Sequence, residues 1–303
     1  MKTAFLFVFL ISSRLAAQDS FLVYSVKGEV TAEYNGSETK VLTGRALQQG
    51  TTLHLRKNAS LTMLCRLGKP LSLAGEGSYP IVLWRDSCRS TGNSISRNYF
   101  SYVWSMFFLN SPDYNDYKRK LNELAVTRGP GGNGTKHPHP GGLEVVKGLD
   151  TIIYTGADFP LSWNYYGYSG KYIFRLYDKT GKKILYADTS RENTRMLSQF
   201  GEYLKKENTL YWTVATLHGK FSGKKLIQTR NTVLVDQVIS YNRRPLTPEE
   251  SDINILFRTA YMLEKGHYLA EALRFYEATV AADPQQKVYA NKLQEFRNQF
   301  LIK

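Results

Sequence analysis

The chain has 303 residues, of which 42% are hydrophobic and 22% charged, and its formal net charge at pH 7 is +14. This length exceeds one average domain, so we expect two or three folded modules. Beyond the first 17 residues, no stretch reaches the roughly 18 consecutive apolar residues that a membrane-spanning helix needs. We therefore expect no membrane span.

The N-terminus predicts export from the cytoplasm. It has a basic start at Lys2, an apolar run at 5–11 and a small-residue cleavage site before Gln18. No cysteine follows that site, so a lipoprotein anchor is not expected. We assign 1–17 to a cleaved signal peptide and expect a soluble protein, periplasmic or exported by a Gram-negative bacterium.

The positive charge is concentrated in one part of the chain. Residues 149–244 contain 15 Lys and Arg against 8 Asp and Glu, whereas 245–303 are nearly neutral. A basic exported surface suits an anionic glycan, lipid headgroups or an acidic protein partner. Dispersed, solvated charge is the simpler alternative. No nucleic-acid-binding motif is present, so nucleic acid is not an expected partner.

Residues 18–96 predict a small β domain. Phe21 and Val23 begin an alternating pattern, and Asn35-Gly36 is typical of a tight hairpin turn. An ordered series of glycines and apolar residues follows: Gly44, Leu47, Gly50, Leu53, Ala59, Gly68, Leu71 and Leu73. This series resembles a FecR-type domain. The resemblance implies an envelope-facing domain that senses or scaffolds through protein contacts.

The two cysteines, Cys65 and Cys88, would both remain in the exported protein. An even number of cysteines in an oxidising compartment favours a disulfide. The bond would close a loop of about 23 residues and stabilise the fold by about 3 kcal/mol. Two inert buried thiols are the alternative.

A helical connector is predicted at 97–128. Its first helix, Asn98–Leu109, has apolar groups nearly all round, which implies burial on several sides. We expect it to dock between the flanking β modules. A partner-binding surface and contact with a membrane surface are the alternatives. A solvated basic helix is expected at 113–127.

The Gly/Pro-rich stretch 129–147 predicts a linker, because this composition cannot bury a core. It contains His137 and His139. Two histidines on a mobile loop, without a third ligand nearby, make a weak metal site. We therefore predict no metal and no cofactor.

Residues 148–244 predict a second β module. About seven short runs of β-forming residues lie between hairpin turns, which indicates a two-sheet sandwich. One run is Thr232–Val235. Trp163, together with Leu204, Thr209 and Tyr211, resembles the core tryptophan and tyrosine corner of a fibronectin type III or immunoglobulin-like domain. We expect Trp163, Tyr211 and Trp212 in the core; an exposed platform for sugar stacking is the alternative.

Residues 245–303 predict a helical hairpin followed by a third helix. Thr247 and Glu250 suit a capping box, Gly266 supplies the turn, and Asp283-Pro284 repeats the cap before the third helix. The hairpin resembles a single tetratricopeptide repeat, with a small residue at Ala272, an aromatic at Tyr276 and the closing proline. Either it docks a partner or it caps its own chain.

The repeat resemblance implies a partner-binding surface, which we assign to Tyr261, Tyr268, Arg274 and Tyr276. The basic stretch ends at Arg244, so few contacts are expected across this boundary. The tail is therefore predicted to be dispensable for folding of the β modules. The predicted fold class is multidomain and mainly β, with an α-helical hairpin at the C-terminus.

No catalytic motif accompanies the five histidines. The acidic pair Glu249-Glu250 is explained by helix capping. We therefore expect a non-enzymatic adaptor or assembly component that acts through contacts with an envelope protein. A binding module for an anionic cell-envelope glycan is the alternative, and it would show aromatic and basic groups together in the third module.

Overall fold

The computed structural model describes residues 21–66, 69–88, 95–107, 144–145, 149–164, 168–219, 222–247 and 249–301. The chain divides into two units, Met1–Ser105 and Met106–Lys303. The predicted signal peptide at 1–17, the basic helix at 113–127 and the two linker histidines lie outside the described residues.

Within the described residues, the first unit contains eight strands in two antiparallel sheets. The strands are β1 (Phe21–Lys27), β2 (Val30–Tyr34), β3 (Ser37–Lys40), β4 (Ala46–Leu47), β5 (Thr52–Leu55), β6 (Ser60–Leu64), β7 (Pro70–Ala74) and β8 (Gly77–Pro80). Their orders are β4–β1–β6–β7 and β3–β2–β5–β8. Two short 3₁₀ turns, Ile81–Trp84 and Asp86–Cys88, follow β8.

One hydrophobic core joins these two sheets. Val30 and Ala32 of β2 are buried, as are Leu71 and Leu73 of β7, so alternate residues of each strand point inward. These residues belong to one cluster that draws on both sheets. The sheets therefore bury their apolar faces against each other.

The first hairpin forms where its turn residues predict it. Asn35 and Gly36 have φ angles of 51° and 74°, and Tyr34 pairs with Ser37. Positive φ at both central residues matches the twist of the flanking strands, and asparagine followed by glycine tolerates it best. The predicted hairpin is confirmed.

Helix α1 (Ile95–Phe107) confirms the first connector helix as far as it is described. Its Phe100 ring meets the Tyr24 ring of β1 edge-on, with centroids 5.2 Å apart, and the hydroxyls of Tyr24 and Tyr99 lie 3.3 Å apart. Tyr99 and Phe100 are buried, and Trp104 is half-buried. The helix thus packs on β1 within its own unit.

The second unit has eight described strands in two sheets. They are β9 (Glu144–Val145), β10 (Thr151–Tyr154), β11 (Pro160–Asn164), β12 (Tyr172–Tyr177), β13 (Ile184–Ser190), β14 (Thr194–Met196), β15 (Thr209–Thr216) and β16 (Lys225–Thr229). The orders are β10–β16–β15–β12–β13 and β14–β11–β9. The pairing of β10 with β16 is parallel, whereas the other pairings are antiparallel.

Trp163 fills the space between these two sheets. Its ring, on β11, stacks on Phe174 of β12 at 5.8 Å and lies 6.3 Å from Trp212 of β15. All three residues are buried. The two sheets therefore pack against each other, and Trp163 and Trp212 lie in the core as expected. The expectation that Tyr211 also lies in the core is wrong: it is half-buried, because its neighbours Leu210 and Trp212 take the inward positions of β15.

The run Thr232–Val235 is helical, so its prediction as a strand is wrong. A 3₁₀ turn (Leu197–Phe200) and helix α2 (Gly201–Lys206) precede β15, and helix α3 (Thr232–Asn242) follows β16. The side chain of Asn231 accepts a hydrogen bond of 2.9 Å from the backbone N–H of Val233. This N-cap satisfies a backbone donor at the helix start and outweighs the β preference of the run.

Three helices form the C-terminal cluster: α4 (Asp252–Lys265), α5 (Leu269–Ala282) and α6 (Lys287–Phe300). The predicted cap positions are wrong by a few residues. Ser251, and not Thr247, caps α4 by accepting from the N–H of Asn254. Glu250 does accept from a backbone N–H four residues earlier, that of Leu246. The third helix begins at Lys287, after Asp283-Pro284 and not with it. None of the described helices is long and apolar enough to cross a membrane.

The turn between α4 and α5 lies where it was predicted, but His267 makes the left-handed bend. His267 has a φ of 64°, whereas Gly266 has a φ of −85°. Gly266 leaves room for the next side chain, because an added Cβ would lie 3.0 Å from the ring of Tyr268. Its role in the turn is therefore a close approach and not a left-handed backbone conformation.

The helical cluster contacts the second β module. The N–H of Ile153, on the edge strand β10, donates to the carbonyl of His267 at 3.0 Å. The Thr155 hydroxyl donates to Glu271, and the ring of Phe159 meets that of Phe296 edge-on at 6.5 Å. These contacts show that the helical cluster packs against the second β module, where few contacts were expected.

Candidate partner-binding site

The two cysteines form a structural bond. Cys65 and Cys88 are joined, with their Cα atoms 5.7 Å apart. Cys65 is buried at the end of β6 and belongs to the core cluster, and Cys88 packs against that cluster. The predicted pairing is present, and it ties the 3₁₀ turn after β8 to the first sheet.

Tyr276, one of four residues assigned to partner binding, is a core residue. Its side chain is buried, and its hydroxyl donates to Glu264 Oε2 at 2.6 Å. Lys292 of α6 lies 3.1 Å from the same carboxylate and 5.6 Å from the Tyr276 ring centroid. This network joins all three helices, so Tyr276 stabilises the cluster and is not available to a partner.

The other three assigned residues do not form one exposed surface with it. Tyr261 is buried, and this burial, with the nearby charge of Glu264, raises its pKa to about 12. Tyr268 is half-buried against the turn, and Arg274 is exposed. Of the four, Arg274 alone has an exposed side chain. The binding surface predicted on the hairpin is therefore not assembled as expected.

Helix α3 has an exposed apolar surface that the sequence interpretation missed. Val233 is 54% exposed, Leu234 44% and Tyr241 72%, and Leu246 beyond the helix is 40% exposed. Positions 233, 237 and 241 are four residues apart and share a side of the helix, with Leu234 beside them. We call these residues, Val233, Leu234, Gln237, Tyr241 and Leu246, the α3 surface.

The opposite side of α3 is anchored. Val235 and Asn242 are buried, and Asn242 donates its side-chain amide to the carbonyl of Val238 at 2.8 Å. The helix therefore has one side against the protein and one side in water. Apolar patches exposed on a protein surface often mark interaction sites.

A buried ion pair fixes the segment that follows α3. Arg258 Nε donates to Glu250 Oε1 and its Nη2 to Glu250 Oε2, both at 2.9 Å. The same Nη2 donates to the carbonyl of Arg244 at 2.7 Å, and Glu250 accepts from the N–H of Leu246. Removing either partner would leave a buried charge uncompensated. The pair thus holds Leu246 in place beside α3.

The rim of the α3 surface is basic. Arg230 precedes the helix, Arg243 and Arg244 follow it, and all three are exposed. Asp236 is the acidic residue of the helix. An apolar stripe with a basic rim suits an apolar partner surface that carries acidic side chains.

A serine, a histidine and a glutamate form a hydrogen-bonded row on the first unit. His54 Nδ1 lies 2.8 Å from Ser78 Oγ, and His54 Nε2 lies 3.2 Å from Glu33 Oε2. The three residues lie on neighbouring strands of one sheet, and Ser78 and Glu33 are exposed. Catalytic groups gain most of their effect in water-excluded sites. We interpret this row as cross-strand pairing that stabilises the sheet.

No group of three or more His, Cys, Asp or Glu side chains within the described residues is arranged to hold a metal ion.

No protein-family model matches the chain, and no curated protein sequence matches it. The structure supports a mixed architecture of antiparallel sheets with a helical cluster at the C-terminus.

Proposed function

We propose that this protein is a non-enzymatic adaptor or assembly component of a bacterial envelope that binds an envelope protein through the α3 surface. The observation that carries the proposal is the group of four large apolar side chains exposed on and beside one helix. Tyrosine is enriched at the energetic centres of protein interfaces, and Tyr241 is the most exposed of the four.

The proposed partner presents an apolar stripe with acidic side chains at its edge. The stripe would cover Val233, Leu234 and Tyr241, and the acidic groups would face Arg243 and Arg244. Because α3 is already anchored on its other side, little ordering would be needed on binding, which lowers the entropic cost of association.

The domain organisation forms part of the proposal. The first β domain is FecR-like, the second is a fibronectin type III or immunoglobulin-like sandwich, and the tail is a hairpin similar to a tetratricopeptide repeat. The predicted export signal and the Cys65–Cys88 bond together support an oxidising, extracytoplasmic location. The proposal therefore places the protein in the periplasm or on the exported side of a Gram-negative envelope.

Site-specific photo-crosslinking in intact envelopes tests this proposal. A photoreactive residue at Gln237, in the middle of the α3 surface, should give one discrete protein adduct, and the crosslinked partner peptide should be apolar and acidic. The same residue at Ile184, an exposed apolar position on β13, is the matched control and should give no such adduct.

A double substitution distinguishes a true interface from chance proximity. Leu234→Ser with Tyr241→Ala should abolish the adduct at 237, because truncating central interface residues typically costs more than about 1 kcal/mol each. The matched control is Leu217→Ser, another exposed leucine. An adduct that survives the double substitution, or equal adducts from 237 and 184, would show that the α3 surface is not the binding site.

A further inference from the structure

Two tyrosines lie side by side on the outer face of the five-stranded sheet. Tyr177 of β12 pairs directly with Tyr211 of β15. Their neighbours Leu176 and Trp212 are buried in the core, so Tyr177 and Tyr211 project from the opposite face. Both residues are half-buried, so each is partly accessible to solvent.

Lys224 lies over the ring of Tyr177. Its Nζ is 5.5 Å from the centroid of Tyr177, within the range of a cation–π contact. Gly181, with a φ of 67°, comes close from the adjacent turn: a Cβ there would lie 3.4 Å from Tyr211 Cδ2 and 3.5 Å from Lys224 Nζ. The turn at Gly181, the ring of Tyr211 and the ammonium group of Lys224 thus lie close together.

The turn that carries Gly181 also presents exposed lysines. Lys179, Lys182 and Lys183 all have exposed side chains. The one carboxylate of the turn, Asp178, accepts from the Thr180 hydroxyl at 2.8 Å and from two backbone N–H groups at 3.2 Å each. The Thr180 hydrogen bond is the largest cause that lowers the pKa of Asp178. The Asp178 carboxylate thus stabilises the turn by accepting these hydrogen bonds.

We propose that Tyr177, Tyr211 and Lys224, with Lys182 and Lys183 of the turn, form a binding site for an anionic saccharide. Tyrosine faces stack on the apolar face of a sugar ring, and ammonium groups attract its carboxylate or sulfate groups. Lysines on flexible stems act as point charges and impose no fixed bidentate geometry. Because Lys224 already lies over one face of Tyr177, a sugar ring would stack on Tyr211 or on the other face of Tyr177. The site lies apart in sequence from the α3 surface and uses none of its residues.

Binding to charged and uncharged oligosaccharides tests the site in the whole protein. Oligogalacturonate supplies carboxylates, a sulfated dextran oligomer supplies sulfates, and methyl-esterified oligogalacturonate is the neutral control. Isothermal titration calorimetry at low salt should show binding of at least one charged probe and at least about tenfold weaker binding of the neutral one. The charged probe that binds identifies the anionic group.

Charge reversal supplies the matched control. Lys182→Glu with Lys183→Glu should weaken binding by at least about tenfold, because both exposed charges follow Gly181 in the turn that approaches Tyr211. Lys205→Glu with Lys206→Glu changes the net charge equally at two exposed positions of α2 and should leave binding within about twofold. Equal losses from both double variants would show diffuse attraction only and would overturn the site.

The aromatic contribution is tested separately. Tyr177→Leu keeps an apolar side chain in the row but removes the ring face, and we expect at least about fivefold weaker binding. Unchanged affinity in this variant, or no binding of either charged probe by the native protein, would also overturn the proposal. Substitutions of the α3 surface should leave saccharide binding unchanged, so this site and the proposed protein interface succeed or fail independently.

Discussion

Replacing Phe296 by alanine tests whether the C-terminal helices and the second β module fold as one unit. Phe296 is fully buried on α6, with ring centroids 4.7 Å from Phe300, 5.5 Å from Tyr276 and 6.5 Å from Phe159. The first two contacts lie inside the helical cluster. The third crosses to the residue that precedes β11.

The expected loss of stability follows from this burial. Removing a fully buried phenylalanine ring costs about 3–5 kcal/mol, and a ring enclosed by three others belongs in the upper part of that range. For a unit of this size, each kcal/mol lowers the melting temperature by about 2–4 °C. We therefore expect Phe296→Ala to lower it by roughly 10 °C.

Hydrogen exchange followed by mass spectrometry assigns this loss to particular elements. If the two parts unfold together, the slowest amides of β15, Thr209–Thr216, should lose protection together with those of α6. Tyr241→Ala is the control, because a ring that is 72% exposed should contribute less than about 0.5 kcal/mol.

A double-mutant cycle measures the contact between the two parts. Phe159→Ala combined with Phe296→Ala should give a coupling energy of about 0.5–1.5 kcal/mol, as expected for an edge-to-face pair. Faster exchange confined to α6, with β15 unchanged and no coupling, would refute the reasoning. The C-terminal helices would then form the separable module that was predicted from the end of the basic stretch at Arg244.

Three further predictions concern the disulfide, the helical network and alkaline pH. Denatured, unreduced protein should show no reactive thiol, and Cys65→Ala with Cys88→Ala should destabilise the first unit by about 3 kcal/mol in urea unfolding; two titratable thiols would rule the bond out. Tyr276→Phe should cost about 1.5–3 kcal/mol, because Glu264 loses a donor in a nearly buried site, whereas Tyr268→Phe should cost less than about 0.5 kcal/mol. The pKa of Tyr261 is raised to about 12, so the folded state holds this proton after the unfolded state has released it at about pH 10. Stability should therefore fall as pH rises from 10 to 12, and the slope should be shallower in Tyr261→Phe; an identical slope would show that this group does not contribute.

Local sequence patterns correctly predicted the elements that form without distant contacts. The Asn35-Gly36 hairpin forms because two adjacent residues tolerate positive φ, and no distant contact is needed. The inward set of alternating residues in β2 and β7 likewise follows from side-chain periodicity. The Cys65–Cys88 bond was predictable because two cysteines permit one intramolecular pairing.

Helix α3 was missed because propensity and capping disagree there. Thr232 and Val233 favour strands, whereas the side chain of Asn231 satisfies the first free N–H of a helix. Two signals in the sequence could have identified the helix: the asparagine before the run, and the apolar residues Leu234, Val238 and Tyr241 at spacings of four and three. In a strand, the side chains of Val233 and Leu234 would point to opposite faces, so the prediction of a strand gave no indication of the α3 surface.

The burial of Tyr276 could not be read from its own segment. Its hydroxyl partner, Glu264, lies on the preceding helix, and Lys292 lies on the next one. The tyrosine at this position is part of the repeat resemblance, but the choice between core and surface depended on how α6 packs across the hairpin. Tertiary contacts of this kind leave no periodic pattern in the local sequence.

The anchoring of α3 explains how the protein can present an apolar surface without losing its shape. The buried pair of Arg258 and Glu250 binds the chain just beyond the helix through the carbonyl of Arg244 and the N–H of Leu246. The helix itself is held on its other side by the buried residues Val235 and Asn242. Its apolar side chains are therefore exposed in the folded protein, and a partner of the proposed kind would meet a helix that is already formed, which lowers the entropic cost of association.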